Sequence, residues 1–161
     1  MEKIIDVFGY SAEFDDVYRT DDSWFGRVLV GEDNHFEGVV EDFYQTDYYF
    51  VFGEMKDKSI RLIKLSRNDR DVPYLFEAKK EERKFYGDYS AKNLYVEIPL
   101  GECQVSLLPA DVTREESDYE KDGIRSKMEE LKQQLGEIGQ SIYQDFSNSK
   151  EKAESKEFIK K

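Results

Sequence analysis

The chain predicts a mainly β protein, an antiparallel meander β-barrel of about eight strands followed by a long C-terminal amphipathic α-helix. Three observations predict it. Between Ser23 and Leu108, short runs alternate apolar and polar residues with period two, and turn-rich breaks separate them. On the apolar face an aromatic is followed two residues later by glycine, as Trp24-Phe-Gly26, Phe36-Glu-Gly38 and Phe85-Tyr-Gly87. Beyond Pro109 the period changes, and Ile124, Met128, Leu131, Leu135, Ile138 and Ile142 form one apolar seam at heptad spacing.

These patterns divide the chain into an acidic N-terminal segment (1–22), a barrel (23–110), a helix (111–146) and a polar tail (147–161) expected to be disordered. The first segment is read as irregular, with a short strand or turn at Ile4–Tyr10. The barrel strands are expected at 23–30, 35–42, 48–54, 59–66, 73–80, 83–91, 93–98 and 102–108. Gly31-Glu-Asp-Asn34 suits a hairpin, because Gly and Asn tolerate positive φ. Asn68-Asp-Arg-Asp71 before Pro73, and Pro99-Leu-Gly101, read as further turns, since proline lacks the N–H a central strand needs. Alternation assigns Trp24, Gly26 and Val28 inward, with Phe36, Gly38 and Val40, then Tyr74, Phe76 and Ala78. Phe85, Gly87 and Tyr89, then Leu94, Val96 and Ile98, and finally Cys103, Val105 and Leu107 follow the same rule. The unbroken run Tyr48-Tyr-Phe-Val-Phe52 lacks alternation and reads as a strand covered on both faces, by the C-terminal segment. Thr113-Arg-Glu-Glu116 is a capping box that starts the helix. Gly123, Gly136 and Gly139 weaken it by about 1 kcal/mol each relative to Ala, and let it lie close to another surface.

Composition limits function. The chain has 161 residues, 14% of them aromatic, enough for one domain with an aromatic core and no need of staples. Its net charge of −12 opposes non-specific binding to nucleic acid or to an anionic membrane. Residues 1–50 alone carry a net −10, which favours a basic partner or serves solubility. Cys103 is the one cysteine, so no internal disulfide forms. No apolar run is long enough to span a membrane or to act as a secretory signal. A cytoplasmic location is the expectation.

Catalytic chemistry finds little purchase. His35, the one histidine, falls in a predicted hairpin and is expected to be an exposed loop residue, and Cys103 is expected inward and inert. One Cys and one His do not make a zinc site. Asp15-Asp16 and Asp21-Asp22 lack the spacing of a calcium loop and read as a solvated acidic stretch. No phosphate loop, nucleophile elbow or dinucleotide fingerprint occurs. No metal or cofactor is expected.

On the eight sequential strands, the Trp near the start of the first and the repeated Phe-x-Gly, residues 23–108 resemble small meander barrels of the calycin type, the lipocalin-like and avidin-like proteins. Asp22-Ser-Trp24 stands where lipocalins have Gly-x-Trp. The resemblance implies a barrel able to hold a small apolar ligand, and it carries over no site residue. A second resemblance, on Tyr48-Tyr-Phe-Val-Phe-Gly and Ile60-Arg-Leu-Ile-Lys, is to the middle strands of a pleckstrin-homology domain, which also ends in a helix. The acidic first hairpin argues against the phosphoinositide binding that family implies.

The functional expectation is a non-enzymatic protein binding a small apolar or aromatic ligand inside the barrel. The expected lining is Trp24, Gly26, Phe36, Gly38, Phe50, Tyr74, Phe76, Phe85, Gly87 and Tyr89. Such glycines either coil strands and admit neighbouring rings, or leave room for a ligand. The alternative is an acidic interaction module or inhibitor for a basic protein. The helical seam either docks on the barrel or pairs with a second copy or another protein. Its narrow stripe leans towards the latter.

Overall fold

The computed structural model describes residues 2–14, 21–43 and 47–160, with side chains for 2–14, 22–43 and 47–153. The described residues form a closed antiparallel barrel in which each strand pairs with its sequence neighbours and β8 returns to β1. The strands are β1 (Lys3–Glu13), β2 (Asp21–Val30), β3 (His35–Asp42), β4 (Tyr48–Lys56), β5 (Ser59–Leu65), β6 (Tyr74–Glu81), β7 (Lys84–Lys92) and β8 (Glu97–Pro109). Two helices follow, α1 (Arg114–Gln133) and α2 (Glu137–Lys160).

The meander and the count of eight match the expectation; the strand list needs three corrections. The N-terminal segment is part of the barrel. β1 pairs Val7 with Gly26 of β2 and Leu107 of β8, and so closes the cylinder. Inward Gly9 and Ser11 and the outward, exposed Phe8 break the alternation there. Residues 93–98 are not a separate inward strand. Leu94, Val96 and Ile98 are exposed, and Asn93 turns the chain by accepting the amides of Tyr95 and Val96 at 2.8 Å. Pro99-Leu-Gly101 is no turn but a bulge inside β8, where the register slips between Tyr89 and Ser90 and two residues face one.

The barrel interior packs its own side chains. Val7, Val28, Phe36, Val51, Leu62, Phe76 and Val105 are essentially inaccessible. The Trp24 ring lies 5.2 Å from Phe76, which stacks on Tyr89 at 5.6 Å. Glycines shape this interior. The Trp24 ring lies where a Cβ on Gly9 would stand, and a Cβ on Gly26, Gly38 or Gly87 would strike the backbone of the adjacent strand. These glycines therefore permit tight coiling.

The two-sided strand is β4. Tyr49 and Val51 face the interior, while Phe50 and Phe52 face outward with Ile63, Leu65 and Leu75. Phe50 is thus not a barrel-lining residue. Leu131, Leu135 and Ile142 pack on this outer patch, Met128 is also buried, Ile124 is half-buried and Ile138 is exposed. The seam lies on the barrel of its own chain. Burying each such aliphatic side chain contributes roughly 1.5–3 kcal/mol.

The predicted single helix is two. Thr113 caps α1 as expected, its hydroxyl accepting the amide of Glu116 at 3.2 Å. The break at Gln134–Gly136 is held from the barrel. Asp69, in a 3-10 turn between β5 and β6, accepts the amides of Ile138 and Gly139 at 3.1 Å each. Only a residue without a Cβ at 136 leaves room for that carboxylate. The tail is no loose end either, because α2 continues to Lys160. Phe146 packs on Phe52 at 4.8 Å, and Lys150 reaches Glu37 at 3.1 Å. Asp69→Ala removes a carboxylate cap and is expected to cost about 1–2 kcal/mol. Urea unfolding measures it, and an unchanged midpoint would mean that α2 docks without its cap.

Glu37, outward on β3, gathers both helices. It accepts the Tyr143 hydroxyl and pairs with Lys150 at 3.1 Å and Lys132 at 3.7 Å. Burial, then Glu37 itself, push the Tyr143 hydroxyl far above its ordinary range. Other acids of the first third also have partners within the fold: Asp6 holds Arg27, Asp47 holds Arg67 and Glu2 holds Arg125.

Candidate functional site

In an antiparallel meander, the starts of even strands and the ends of odd strands share one end of the barrel. Here that end brings together Asp22 (β2), Asp42 (β3), Tyr49 (β4), Lys64 (β5), Tyr74 (β6) and Tyr89 (β7). Ile60, Leu62 and Lys64 share the inner face of β5, so period two carries a lysine into the interior, where its side chain is only 4% exposed.

An ammonium in such a place needs charge and hydrogen-bond partners. Lys64 Nζ donates to Asp22 Oδ2 and Asp42 Oδ1, both at 3.3 Å. It also stands 4.5 Å from the Tyr49 ring centre, 5.6 Å from Trp24 and 5.9 Å from Tyr74. Burial raises the Asp22 carboxyl above its ordinary value, against the pull of Lys64. Burial and the neighbouring Asp42 push the Tyr49 hydroxyl far up, and burial lifts Tyr89 to about 12. The phenols are neutral donors at ordinary pH. Among the described residues the Trp24 indole N–H, fully buried, has no hydrogen-bond partner.

The expected lining divides accordingly. Trp24, Phe36, Phe76, Phe85 and Tyr89 are buried in the interior cluster, with Tyr74 half-buried at its edge. Gly26, Gly38 and Gly87 face neighbouring backbone, and Phe50 lies outside. Sequence reasoning missed Lys64, Asp42 and Tyr49, and read Asp22 as part of a solvated acidic stretch where the structure sets it on Lys64. The available signal was a lysine in register with Ile60 and Leu62.

Cys103 is inward as expected, its thiol donating to the Asp88 carbonyl at 3.4 Å and pushed up by burial to about 12. His35 departs from expectation. It starts β3 and is buried, its Nδ1 3.3 Å from Asp33 Oδ2. It is not an exposed loop residue, because α2 lies across it and Phe146 stands 5.7 Å from its ring. Asp15 and Asp16 lie outside the described residues. Among those described, no three His, Cys, Asp or Glu side chains group as metal ligands, and no helix is long and apolar enough to cross a membrane.

Fold and site together define a closed eight-stranded antiparallel barrel, consistent with a calycin-like one, with a charged, tyrosine-lined end. Comparison with protein-family models, curated proteins and solved structures finds no match for this chain.

Proposed function

We propose that this is a non-enzymatic cytoplasmic binding protein that takes a small, neutral aromatic ligand at the Lys64 end of the barrel. The observation that carries this reading is the buried Trp24 N–H, without a partner among the described residues, beside a lysine held among three aromatic rings. Buried polar groups in native proteins are nearly always satisfied. A ligand bringing a carbonyl or ring-nitrogen acceptor would satisfy this one, and its flat body would rest against the tyrosines. Deeper in the barrel Phe76 packs against both Trp24 and Tyr89, which leaves no second seat. Neutrality follows from charge. Lys64 already has two carboxylates, so a bound anion would face Asp22 and Asp42, and a cation would compete with the resident ammonium.

Native mass spectrometry of protein purified from cells tests the reading, with Trp24 fluorescence as the local reporter. A few hundred daltons of extra mass, lost on denaturation together with a change in Trp24 emission, is the expected result. A bare chain whose emission no aromatic carbonyl compound alters would sink it.

A further inference from the structure

The end of the barrel opposite Lys64 is built from hairpin turns. Asn34 closes the one between β2 and β3, Asp57 and Lys58 the one between β4 and β5, and Glu82 and Arg83 the one between β6 and β7. Backbone hydrogen bonds tie them together. The Met55 amide donates to the Asn34 carbonyl at 2.9 Å, and the Lys80 amide to that of Lys58 at 2.7 Å. Between the turns lies a recess of about 330 Å³. Its apolar part is Phe85, which is buried, with Met55 and Leu107, which pack on the barrel core. Its basic part is Lys56, Lys80 and Arg83, all exposed.

The charge here runs against the composition. The chain has 36 acids and 24 bases, yet Lys56-Asp-Lys58 and Lys79-Lys-Glu-Glu-Arg-Lys84 bring six bases and three acids to two neighbouring turns. Elsewhere Arg27, Arg61, Lys64 and Arg67 each hold a carboxylate within 3.4 Å. Among the described residues Lys80 and Arg83 have no ion-pair partner, and Lys56 reaches only Glu54, at 4.0 Å. Asp57 is the one acid in the lining, so three bases against one acid leave a net of two positive charges. Like charges gathered in this way repel, and a bound anion relieves them.

We propose that this recess binds a small phosphate monoester with an aromatic or branched apolar body. Its oxygens accept from Lys56, Lys80 and Arg83, and its body lies on Phe85 and Leu107. A monoester carries about −1.5 to −2 at pH 7, which matches the lining. A guanidinium beside ammonium groups supplies donors suited to phosphate oxygens. The apolar base supplies contact that a bare anion does not use. This site is separate from the Lys64 end and does not depend on the reading given for it.

Phenyl phosphate is titrated into the full chain by calorimetry at about pH 7.5 and about 50 mM salt, where screening is modest. Inorganic phosphate lacks the apolar body, benzyl alcohol the charge and benzenesulfonate the second charge, so these are the controls. Phenyl phosphate is expected to bind about tenfold tighter than each of them, and to weaken as salt is raised. Arg83→Gln and Lys80→Gln, both at exposed positions, are each expected to cut its affinity about tenfold. Asp57→Asn is expected to tighten it severalfold. Trp24 emission is expected to stay unchanged, because that ring belongs to the other end.

Four results would each overturn the proposal. One is no binding of phenyl phosphate up to about 10 mM. Another is inorganic phosphate or benzenesulfonate binding as tightly, which would make the turns a basic surface without selectivity. The third is an affinity that neither Arg83→Gln nor Lys80→Gln alters. The last is a Trp24 response that saturates along with the heat, which would put the ligand at the Lys64 end.

Discussion

Lys64→Met is expected to destabilise the barrel by about 3–5 kcal/mol at neutral pH, the usual cost of leaving a buried partner charge uncompensated. The Asp42 side chain is 9% exposed and sits 3.3 Å from the ammonium. Without Lys64, the buried Asp42 faces Asp22, whose side chain is 42% exposed, with no cation between them. A second change, Asp42→Asn, is expected to restore most of the loss, which a double-mutant cycle would report as strong coupling. The pH dependence has a definite sign. Burial holds Asp22 above its ordinary value of 3.8 in the folded protein even beside Lys64, whose charge lowers it. A raised carboxyl favours the folded state below that ordinary value, and the benefit is lost as pH rises through the folded one. Removing Lys64 lifts Asp22 further, so the deficit of the variant is expected to shrink between about pH 7 and about pH 4.5. Urea unfolding at both values, followed by Trp24 emission, measures it. A pH-independent deficit below about 1 kcal/mol would mean that the triad behaves as an exposed ion pair.

Phe76→Ala is expected to cost about 3–5 kcal/mol and to open an apolar hole in the barrel. Phe76 contacts Trp24 on one side and stacks on Tyr89 on the other, at ring distances of 5.2 and 5.6 Å. The strands around it are closed on both sides, so the site has little freedom to collapse. A dry apolar hole binds benzene. Saturating benzene is therefore expected to raise the Tm of the variant and leave that of the parent unchanged. A small loss without benzene rescue would show an interior that repacks freely.

The barrel was legible where strands have one wet face. In β6 and β7 the alternation of Phe76, Ala78, Phe85 and Tyr89 with Glu77, Lys79 and Lys84 maps directly onto inside and outside, and β3 keeps the same alternation through Phe36, Glu37 and Val40 although helices cover its outer face. It was illegible where that contrast vanishes. β4 is apolar on both faces because helices cover its outer one, so Phe50 could not be placed from local pattern. β1 carries an inward glycine because Trp24 fills the space over Gly9, and its inward Ser11 and outward Phe8 invert the expected pattern. Most of the charged site was hidden for a related reason. A lysine reads as outward unless the partners that let it stay inside are known, and Asp22 and Asp42 lie 42 and 22 residues away in sequence.

By itself, then, the sequence determined an antiparallel β class, the meander, the inward aromatic set and the start of the first helix. Those properties rest on near-neighbour periodicity, turn chemistry and capping, which act over a few residues. Only the tertiary structure decided that the N-terminal segment closes the barrel and that Asp69 splits the C-terminal helix in two. It also decided that the helical seam lies on β4 and β5, that His35 is buried beneath α2, and that Lys64 meets two carboxylates at one end. Each of these is a contact between distant residues, made when closure of the sheet aligns strand ends that are not adjacent in the chain.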